Sequence, residues 1–372
     1  MVRVPISSSS GSYDAVIGRG LIDEAGGLLR QLAGAKKVSK LFVVTVPPVR
    51  RKWRSRLSKA LSSSGWQATW LEMPDGETAK KLATVEKLAT RLTDAGADRD
   101  TLLLAFGGGV VGDVTGLLAS LFMRGIEVVQ IPTTVLAQVD ASIGGKTGVN
   151  LKTGKNLLGT FQPPLAVFID PGVLSTLPER EFRAGLYESV KAGIIAKPEI
   201  FDLLENINVR ELRRDPASLE QVITRSVKQK ADVVSSDEKE GDLRRILNFG
   251  HTIGHTLEAQ SGYRRFLHGE AVAWGIVAET FIAEKLALCS ADDANRIIAA
   301  TLRLGPLPKV IAQGREILNL LGRDKKTRGG IPHFVLPCEI GKVKIVNDVP
   351  EKLIVESIDE LRRISRAKAL AS

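Results

Sequence analysis

Three of the four histidines in this 372-residue sequence lie close together. His251, His255 and His268 all fall within residues 248–270. Histidine is the commonest neutral ligand of zinc-like ions, and catalytic sites typically combine three protein ligands with one open position. Because His251 and His255 are four residues apart, a helix places both on one face. A lone histidine is usually a hydrogen-bonded core residue, but three in one segment predict a divalent metal site.

The residues around these histidines disfavour a metalloprotease. Thr252 follows the first histidine, where the zincin motif requires a glutamate as general base. A carboxylate ligand, if the site has one, must then come from elsewhere in the chain, and Glu188 is the candidate, because apolar neighbours such as Leu186 and Val190 favour its burial. A buried carboxylate needs a metal or a cation. The alternative is an exposed intrahelical ion pair of Glu188 with Lys191.

A glycine-rich segment predicts a nucleotide site. Residues 107–113, Gly-Gly-Gly-Val-Val-Gly-Asp, follow an apolar strand and begin a helix, where backbone amides can approach a pyrophosphate. The spacing is neither the GxGxxG pattern nor a Walker loop, so a plain tight turn is the alternative, with Asp113 as a helix cap. Thr133 and Thr134 end the next strand and should face the same edge of the sheet.

The elements that must position these residues change in type along the chain. The first half alternates short apolar runs with helical segments, which predicts a doubly wound, Rossmann-like α/β domain over residues 1–177. Helical periodicity dominates afterwards, which predicts a mainly α-helical domain over residues 178–372. The predicted strands are 41–46, 67–72, 101–106, 126–131 and 165–170, with helices at 80–95 and 112–123. The later helices are 180–195, 217–234, 246–260, 270–288 and 351–370, with a hairpin of 333–336 and 342–346.

Composition limits the functional class. The length suits about two domains, and no apolar run has signal-peptide or membrane-spanning length, so a cytosolic protein is expected. Cys289 and Cys338 are expected to be reduced thiols. The net charge of +10 raises the possibility of nucleic acid, but acids are interspersed with bases and residues 50–56 are better explained as a solvated helix face. A positive cleft for a small anionic substrate also fits.

Several motifs occur in a fixed order. They are residues 107–113, Met-Arg-Gly at 123–125, Pro-Thr-Thr at 132–134, residues 140–150 (Asp-Ala-Ser-Ile-Gly-Gly-Lys-Thr-Gly-Val-Asn), Gly-Lys-Asn at 154–156, Glu-x-x-Lys at 188–191, Asn-x-Gly-His-x-x-Gly-His at 248–255 and His-Gly-Glu at 268–270. Together they resemble the 3-dehydroquinate synthase family of sugar phosphate cyclases.

The resemblance implies a reaction and its cofactors. It implies a cytosolic, usually homodimeric enzyme of the shikimate pathway that uses NAD and one divalent metal, zinc or cobalt. The implied substrate is 3-deoxy-D-arabino-heptulosonate 7-phosphate, and the products are 3-dehydroquinate and phosphate. The implied steps are transient oxidation, phosphate elimination, re-reduction and aldol closure, which would follow one another in one site. Because phosphate is eliminated, the resemblance implies a carbon–oxygen lyase.

The resemblance also implies the site residues. The metal ligands would be Glu188, His251 and His268, in place of three histidines, with His255 as a catalytic or substrate-binding group. The implied catalytic residues are Lys146, Lys191, Lys230, Arg244, Asn248 and His255. The implied substrate-binding residues are Arg124 at the phosphate, Asp140, Lys146, Asn156, Lys230, Arg244, Asn248, and either Lys325 or Lys326.

The implied NAD contacts come from several separate segments. One departure from the family pattern concerns the adenosine end of NAD, where relatives carry Asp-x-Asn and this chain has Val46, Pro47 and Pro48. The missing acidic side chain predicts weaker NAD binding than in those relatives. The implied cofactor-binding residues are Asp75, Gly76, Glu77, Thr78, Ala79, Lys80, Gly109, Val110, Val111, Gly112, Asp113, Thr133, Thr134, Lys146, Lys155, Val173, Leu174, Ser175 and Thr176.

Three other functions compete with this interpretation. Another sugar phosphate cyclase would share most motifs, but Lys230, Arg244 and Asn248 suit a substrate that carries a carboxylate. A metal-dependent polyol dehydrogenase would not need so many cationic groups. A nucleic-acid-binding protein would bind DNA or RNA in a salt-sensitive way and would not need NAD.

Overall fold

The computed structural model describes residues 1–8, 11–33, 38–237, 243–328 and 333–369. The chain forms two compact units: Met1–Pro178 with Lys230–Glu238, and Glu179–Gln229 with Lys239–Ser372. The first unit therefore consists of the continuous segment up to Pro178 and of the short segment 230–238, which was not predicted. In the parts of the chain that the structure describes, no helix is long and apolar enough to span a bilayer.

The first unit is an α/β domain. Its strands are β1 (Val2–Ser8), β2 (Gly11–Ile17), β3 (Lys40–Thr45), β4 (Ala68–Glu72), β5 (Thr101–Gly107), β6 (Glu127–Pro132), β7 (Lys146–Leu151), β8 (Gly154–Phe161) and β9 (Ala166–Ile169). Its helices are α1 (Leu21–Ala33), α2 (Pro47–Ser63), α3 (Leu82–Asp94) and α4 (Gly109–Leu121).

Seven of these strands form one sheet in the order β1-β2-β9-β6-β5-β3-β4. Only the edge pair β1–β2 is antiparallel, and the other neighbours are parallel. Strands β5, β6 and β9 are almost entirely buried, as expected for strands that helices cover on both faces. The predicted doubly wound fold is confirmed.

The strand order reverses between β3 and β5. The chain leaves β3 towards the edge strand β4 and then crosses back to β5, so β3 and β5 are neighbours from which the connections diverge. Their register pairs Thr45 with Phe106, which brings the carboxyl ends of both strands together. Open α/β sheets bind ligands in the crevice at such a point, and the glycine-rich segment begins there.

The second unit is mainly helical. Its elements are α5 (Glu179–Ile195), α6 (Pro198–Glu205), α7 (Val209–Arg214), α8 (Pro216–Ser236, whose last residues belong to the first unit), α9 (His251–Gln260), α10 (His268–Lys285), α11 (Ala291–Arg303), α12 (Gly314–Arg328), the hairpin β10 (Phe334–Glu339) and β11 (Lys342–Val346), and α13 (Glu351–Ala369).

Helix α10 is the centre of the second unit. It is buried almost continuously from Gly269 to Ala283, and it packs against α5, α9, α11, α13 and β10. A helix that is apolar on all sides has to be surrounded by other elements. Two glycines set how closely its neighbours approach, since a Cβ on Gly269 would lie 1.7 Å from the Ala184 carbonyl oxygen and a Cβ on Gly275 would lie 1.7 Å from the Gly250 carbonyl oxygen.

One predicted helix was wrong at its start. Residues 246–260 were predicted as a single helix, but residues 243–248 form a 3₁₀ turn and α9 begins at His251. Gly250 explains the break, because its φ of 78° lies in the left-handed region, which favours glycine. This turn places His251 at the first position of α9.

Candidate functional site

The glycine-rich segment of the first unit forms a cradle at the beginning of α4. Gly108 is the N-cap, and it provides no side-chain hydrogen bond to the first backbone N–H groups of the helix. A Cβ on Gly108 would lie 3.1 Å from Thr134 Cγ2, and a Cβ on Gly109 would lie 3.2 Å from Ala141 Cβ. The glycines therefore keep the approach to these N–H groups open. A helix N-terminus of this kind suits a pyrophosphate.

The other predicted cofactor segments follow the carboxyl ends of neighbouring parallel strands. Residues 75–80 follow β4, Thr133 and Thr134 follow β6, and the turn Pro171–Thr176 follows β9. Because β4, β3, β5, β6 and β9 are adjacent in the sheet, these segments share one edge with the glycine cradle. Val173 and Leu174 are buried core residues, so any cofactor contact they make would come from their backbone.

Polar side chains link residues 75–80 to the glycine cradle and to the β7–β8 hairpin. The Lys80 ammonium contacts both the Asp113 carboxylate and the Asn156 side-chain oxygen. Asn150 Nδ2 donates to Glu77 Oε1 at 2.7 Å, and Lys155 Nζ lies 4.0 Å from the same oxygen. Asn156 and Lys155 belong to the β7–β8 hairpin, which the sequence did not predict, so the structure brings these residues together with residues 75–80.

Lys230 belongs to the first unit through the end of α8. Its ammonium donates to both the carbonyl oxygen and Oδ1 of Asp140, each at 2.6 Å. The Lys230 side chain is nearly buried. This pair joins two residues that the family resemblance assigned to the substrate pocket.

Three helices of the second unit bring Glu188, His251 and His268 together. Glu188 lies on α5, His251 on α9 and His268 at the start of α10. Glu188 Oε1 is 3.6 Å from His251 Nε2 and 3.6 Å from His268 Nε2. Lys191 Nζ lies 2.5 Å from the other oxygen, Oε2. The two histidines thus face the same carboxylate oxygen, while Lys191 compensates charge at the second one.

The electrostatics of this cluster follow from burial and from its mixed charges. Burial alone would raise the pKa of the Glu188 carboxyl, but Lys191 and the two histidines hold it well below its usual range. Burial and the nearby Lys191 keep the pKa of His251 well below its ordinary value, so this ring is neutral. Burial opposes protonation of His268, but Glu188 and Glu258 outweigh it and raise its pKa to about 9.

A divalent metal fits this donor set. Glu188 Oε1 is buried without a hydrogen bond of regular geometry, and a cation at this oxygen would offset its loss of hydration, as Lys191 does at Oε2. A tetrahedral zinc with bonds of about 2.0–2.1 Å separates its ligands by roughly 3.4 Å, which is close to the observed 3.6 Å. Two histidines and one glutamate are also a known catalytic zinc set.

The all-histidine alternative is close in geometry. One nitrogen from each of His251, His255 and His268 lies within 4.8 Å of the other two. His255 is exposed, however, whereas Glu188 is buried. Glu188 Oε1 also lies closer to His251 and His268, at 3.6 Å from each, than the 4.8 Å limit that holds for the three rings. This arrangement favours Glu188 as the third ligand and leaves His255 at the border of the cluster.

Further charged residues outside the predicted ligand set support the cluster. Glu270 accepts two hydrogen bonds from Arg180, at 2.7 Å each, and one from the Leu267 N–H. These bonds fix the first turn of α10, which carries His268. Glu279 accepts the Gly250 N–H at 2.7 Å and thereby caps α9; burial raises the pKa of Glu279 to about 8, although backbone N–H bonds oppose this shift.

The remaining predicted substrate residues are spread over both units. In the first unit Lys146 is exposed at the start of β7, and Arg124 is exposed in the turn after α4. In the second unit Arg244 is 2% exposed and Asn248 is half-buried in the turn before α9. Lys325 and Lys326 lie on α12, but their side chains are outside the described residues.

Comparisons with known proteins agree with this architecture. Residues 70–184 match the 3-dehydroquinate synthase N-terminal family, and residues 185–327 match the 3-dehydroquinate synthase C-terminal family. The chain is 53% identical to a 3-dehydroquinate synthase of Koribacter versatilis over 98% of this chain and 99% of the relative. The chain therefore belongs to the 3-dehydroquinate synthase family.

Solved structures of sugar phosphate cyclases are similar along the whole chain. A 2-epi-5-epi-valiolone synthase from Streptomyces hygroscopicus subsp. jinggangensis, with NAD+ and Zn2+ bound, has a TM-score of 0.86 and 31% identity over 96% of this chain and 99% of its own. A 2-deoxy-scyllo-inosose synthase complexed with carbaglucose-6-phosphate, NAD+ and Co2+ has a TM-score of 0.85 and 27% identity over the same shares of the chains. A glycerol dehydrogenase from Schizosaccharomyces pombe shares only the fold. It is 18% identical, with a TM-score of 0.65 over 95% of this chain and 89% of its own.

Proposed function

We propose that this protein is a 3-dehydroquinate synthase, which converts 3-deoxy-D-arabino-heptulosonate 7-phosphate into 3-dehydroquinate and phosphate. The observation that carries the proposal is the buried Glu188 carboxylate facing His251 and His268, in a chain 53% identical to a 3-dehydroquinate synthase. The similar cyclases bind NAD+ with Zn2+ or Co2+. We therefore assign NAD and one divalent metal to this chain.

The two parts of the chain would have separate tasks. Residues 1–177 would bind NAD, with the segment 109–113 at the start of α4 beside its pyrophosphate, and residues 178–372 would hold the metal through Glu188, His251 and His268. When bound, NAD takes up and returns a hydride, and the metal lowers the pKa of the substrate hydroxyls it contacts. We therefore propose a carbon–oxygen lyase, because in this reaction phosphate leaves the substrate and the hydride is returned.

The chain's own residues would bind and orient an anionic substrate. Lys191 and Arg244 are nearly buried cations of the second unit, and Lys230 is a nearly buried cation of the first. A buried cation interacts strongly with an anion because the local dielectric constant is low, so fixed positive charge can stabilise the developing negative charge of the reaction. His255 borders the metal ligands and is exposed, which suits a group that donates a hydrogen bond to the substrate.

Two of these cations, together with Asn248, distinguish the proposal from its rivals. Lys230, Arg244 and Asn248 suit a substrate that carries a carboxylate, whereas a cyclase for a sugar phosphate without a carboxylate would not need them. A polyol dehydrogenase would oxidise its substrate once and release NADH. The fold alone does not separate these activities, since the similar structures include both cyclases and a dehydrogenase.

The activity can be tested directly. The metal-loaded protein is incubated with NAD and the heptulosonate phosphate, and phosphate and 3-dehydroquinate are measured together. We expect equal amounts of both products and no accumulation of NADH, because the hydride is returned in each turnover. Phosphate without the carbocycle, steady NADH production or no turnover would each contradict the proposal.

The metal ligands need a separate experiment. We expect His251→Ala and His268→Ala to lower the metal content, because each removes a ligand, and His255→Ala to keep the metal while losing activity. The measurement is metal content by mass spectrometry after dialysis. If His255→Ala loses the metal and Glu188→Gln keeps it, the all-histidine site is correct.

We also propose a cytosolic homodimer. Both cysteines, Cys289 and Cys338, are free thiols, as is usual in a reducing compartment. Several exposed large hydrophobic side chains lie at the end of α4 and on the β7–β8 hairpin, and we propose that these two elements contribute to the association surface. These side chains are Leu121, Met123, Leu151, Leu157, Leu158 and Phe161.

Arg124 lies at the end of α4 that is far from the glycine cradle. Arg124 follows the 13-residue helix α4, so it lies about 18 Å along the helix axis from the glycine cradle at the other end. It is exposed, and the backbone of Met123 and Arg124 is left-handed. We propose that Arg124 of the partner subunit serves the phosphate, since Leu121 and Met123 of the proposed association surface are its near neighbours in the chain.

Subunit mixing tests this proposal. Arg124→Ala and Lys191→Ala are each expected to be inactive, but mixed dimers would contain one site in which both residues are intact. Random mixing should restore about a quarter of wild-type activity. If Arg124 acts within its own chain, no intact site forms and mixing restores nothing.

A further inference from the structure

Glu258 is a buried carboxylate next to the proposed metal ligands that has no role in the site described above. It lies on α9 and is 1% exposed. Its Oε2 is 3.6 Å from His268 Nδ1, while the other nitrogen of that ring, Nε2, is 3.6 Å from Glu188 Oε1. The His268 imidazole is therefore held between two buried carboxylates, one at each nitrogen.

The two carboxylates cannot have the same task. The ring nitrogens of an imidazole point away from each other, so a metal at Nε2 lies on the side of the ring opposite Glu258. A neutral imidazole carries one proton, and the partner of one nitrogen decides which nitrogen carries it. A carboxylate at Nδ1 favours the proton there and leaves the Nε2 lone pair for a metal.

His251 has the same arrangement on a different element. Its Nδ1 lies 3.0 Å from the Phe249 carbonyl oxygen, and its Nε2 faces Glu188 Oε1. Both histidines thus have an oxygen acceptor at Nδ1 and direct Nε2 to the same carboxylate.

We propose that Glu258 is a positioning residue for metal binding. With the metal bound, it would accept the Nδ1–H of His268, which lies 3.6 Å from its Oε2, and would fix the ring so that Nε2 is unprotonated and directed towards Glu188 and His251. This inference rests on the proposed metal site. It adds a fourth residue on which the metal affinity depends, although that residue does not contact the metal.

The first test compares two isosteric changes in the full-length protein. Glu258→Gln removes the charge at Nδ1, and the control Glu205→Gln removes a charge from the pair of Glu205 with Arg296 in the same unit. Zinc dissociation constants are measured by competition with a chromophoric chelator. We expect Glu258→Gln to bind zinc about 10–100-fold more weakly, and the control to keep the wild-type affinity even if its stability falls.

The second test identifies the proton itself. The chain has only four histidines, so nitrogen-15 histidine labelling gives an assignable spectrum of the zinc-loaded protein. We expect a proton on Nδ1 of His268 and metal at Nε2, with a shift of the Nδ1 resonance in Glu258→Gln and none in Glu205→Gln. The spectrum of the wild type shows which nitrogen of His268 carries the proton even if Glu258→Gln fails to fold.

The outcomes separate this inference from the proposed function. A wild-type protein that binds no zinc would overturn the metal site itself. Zinc binding by the wild type, combined with unchanged affinity in a folded Glu258→Gln protein or with an unprotonated Nδ1 on His268, would overturn the role of Glu258 alone.

Discussion

One added methyl group at Gly269 should disrupt the metal site by separating two helices. A Cβ on Gly269 would lie 1.7 Å from the carbonyl oxygen of Ala184, whereas real Cβ atoms essentially never come closer than 3.0 Å to another heavy atom. Helices α5 and α10 must therefore move apart by more than 1 Å at this point. His268 is adjacent to Gly269, and Glu188 lies one turn after Ala184, so the same movement separates two proposed ligands.

The magnitude follows from the narrow tolerance of metal coordination. Metal–ligand distances vary by only about 0.2 Å, so a displacement of this size removes one ligand. We expect Gly269→Ala to weaken zinc binding at least about 100-fold, the upper end of what loss of a supporting residue causes. Overpacking should also lower the free energy of unfolding by about 1–3 kcal/mol.

The assay is a chelator-competition titration of zinc combined with urea unfolding of the metal-free protein. Gly322→Ala on α12 is the matched control, because its Cβ would meet nothing within 4 Å; it should keep the zinc affinity and raise stability by about 0.5–1 kcal/mol. If Gly269→Ala binds zinc and unfolds like the wild type, the helices can separate without moving the ligands, and the reasoning is refuted.

Two further predictions concern NAD and pH. Val46 is the buried N-cap of α2, and neither Pro47 nor Pro48 has an N–H. We expect Val46→Asp to increase the affinity for NAD about tenfold to a hundredfold in a calorimetric titration, which is the effect of a charged hydrogen bond. Unchanged binding with high wild-type affinity would mean that another group makes this contact. The pKa of His268 is raised to about 9 in the metal-free protein. The contribution of its protonation to the free energy of unfolding is therefore complete below pH 6.5 and is lost as the pH rises through 9. Zinc affinity should change in the opposite direction, rising about tenfold per pH unit up to pH 9, and a flat titration in the same range would contradict the assignment.

Much of the first unit could be predicted from the sequence because the central strands of its sheet are apolar. The five predicted strands match β3, β4, β5, β6 and β9 within about two residues, and residues 50–56 do lie on a helix, α2. Hairpins β1–β2 and β7–β8 were missed. Strand β8 is largely exposed and contains glycines, so it lacks the apolar alternation by which strands are recognised.

The metal site shows a different limit of sequence reasoning. Glu188 was found from its apolar neighbours, but Glu258 and Glu279 were not, although Glu258 lies three residues after His255 and seven after His251. That spacing places all three on one face of α9, so a rule that extends histidine spacing to carboxylates would have found Glu258. Glu279 has no such pattern, because it caps α9 from another helix.

The His-Gly-Glu motif at residues 268–270 explains why the site depends on packing as much as on its ligands. His268 faces the Glu188 carboxylate, Gly269 lets α10 contact the backbone of α5, and Glu270 fixes the first turn of α10 through Arg180. Each residue acts on a different neighbour, yet all three control the position of one ring. The chemistry of the site therefore requires the histidine, while its geometry requires the glycine and the glutamate.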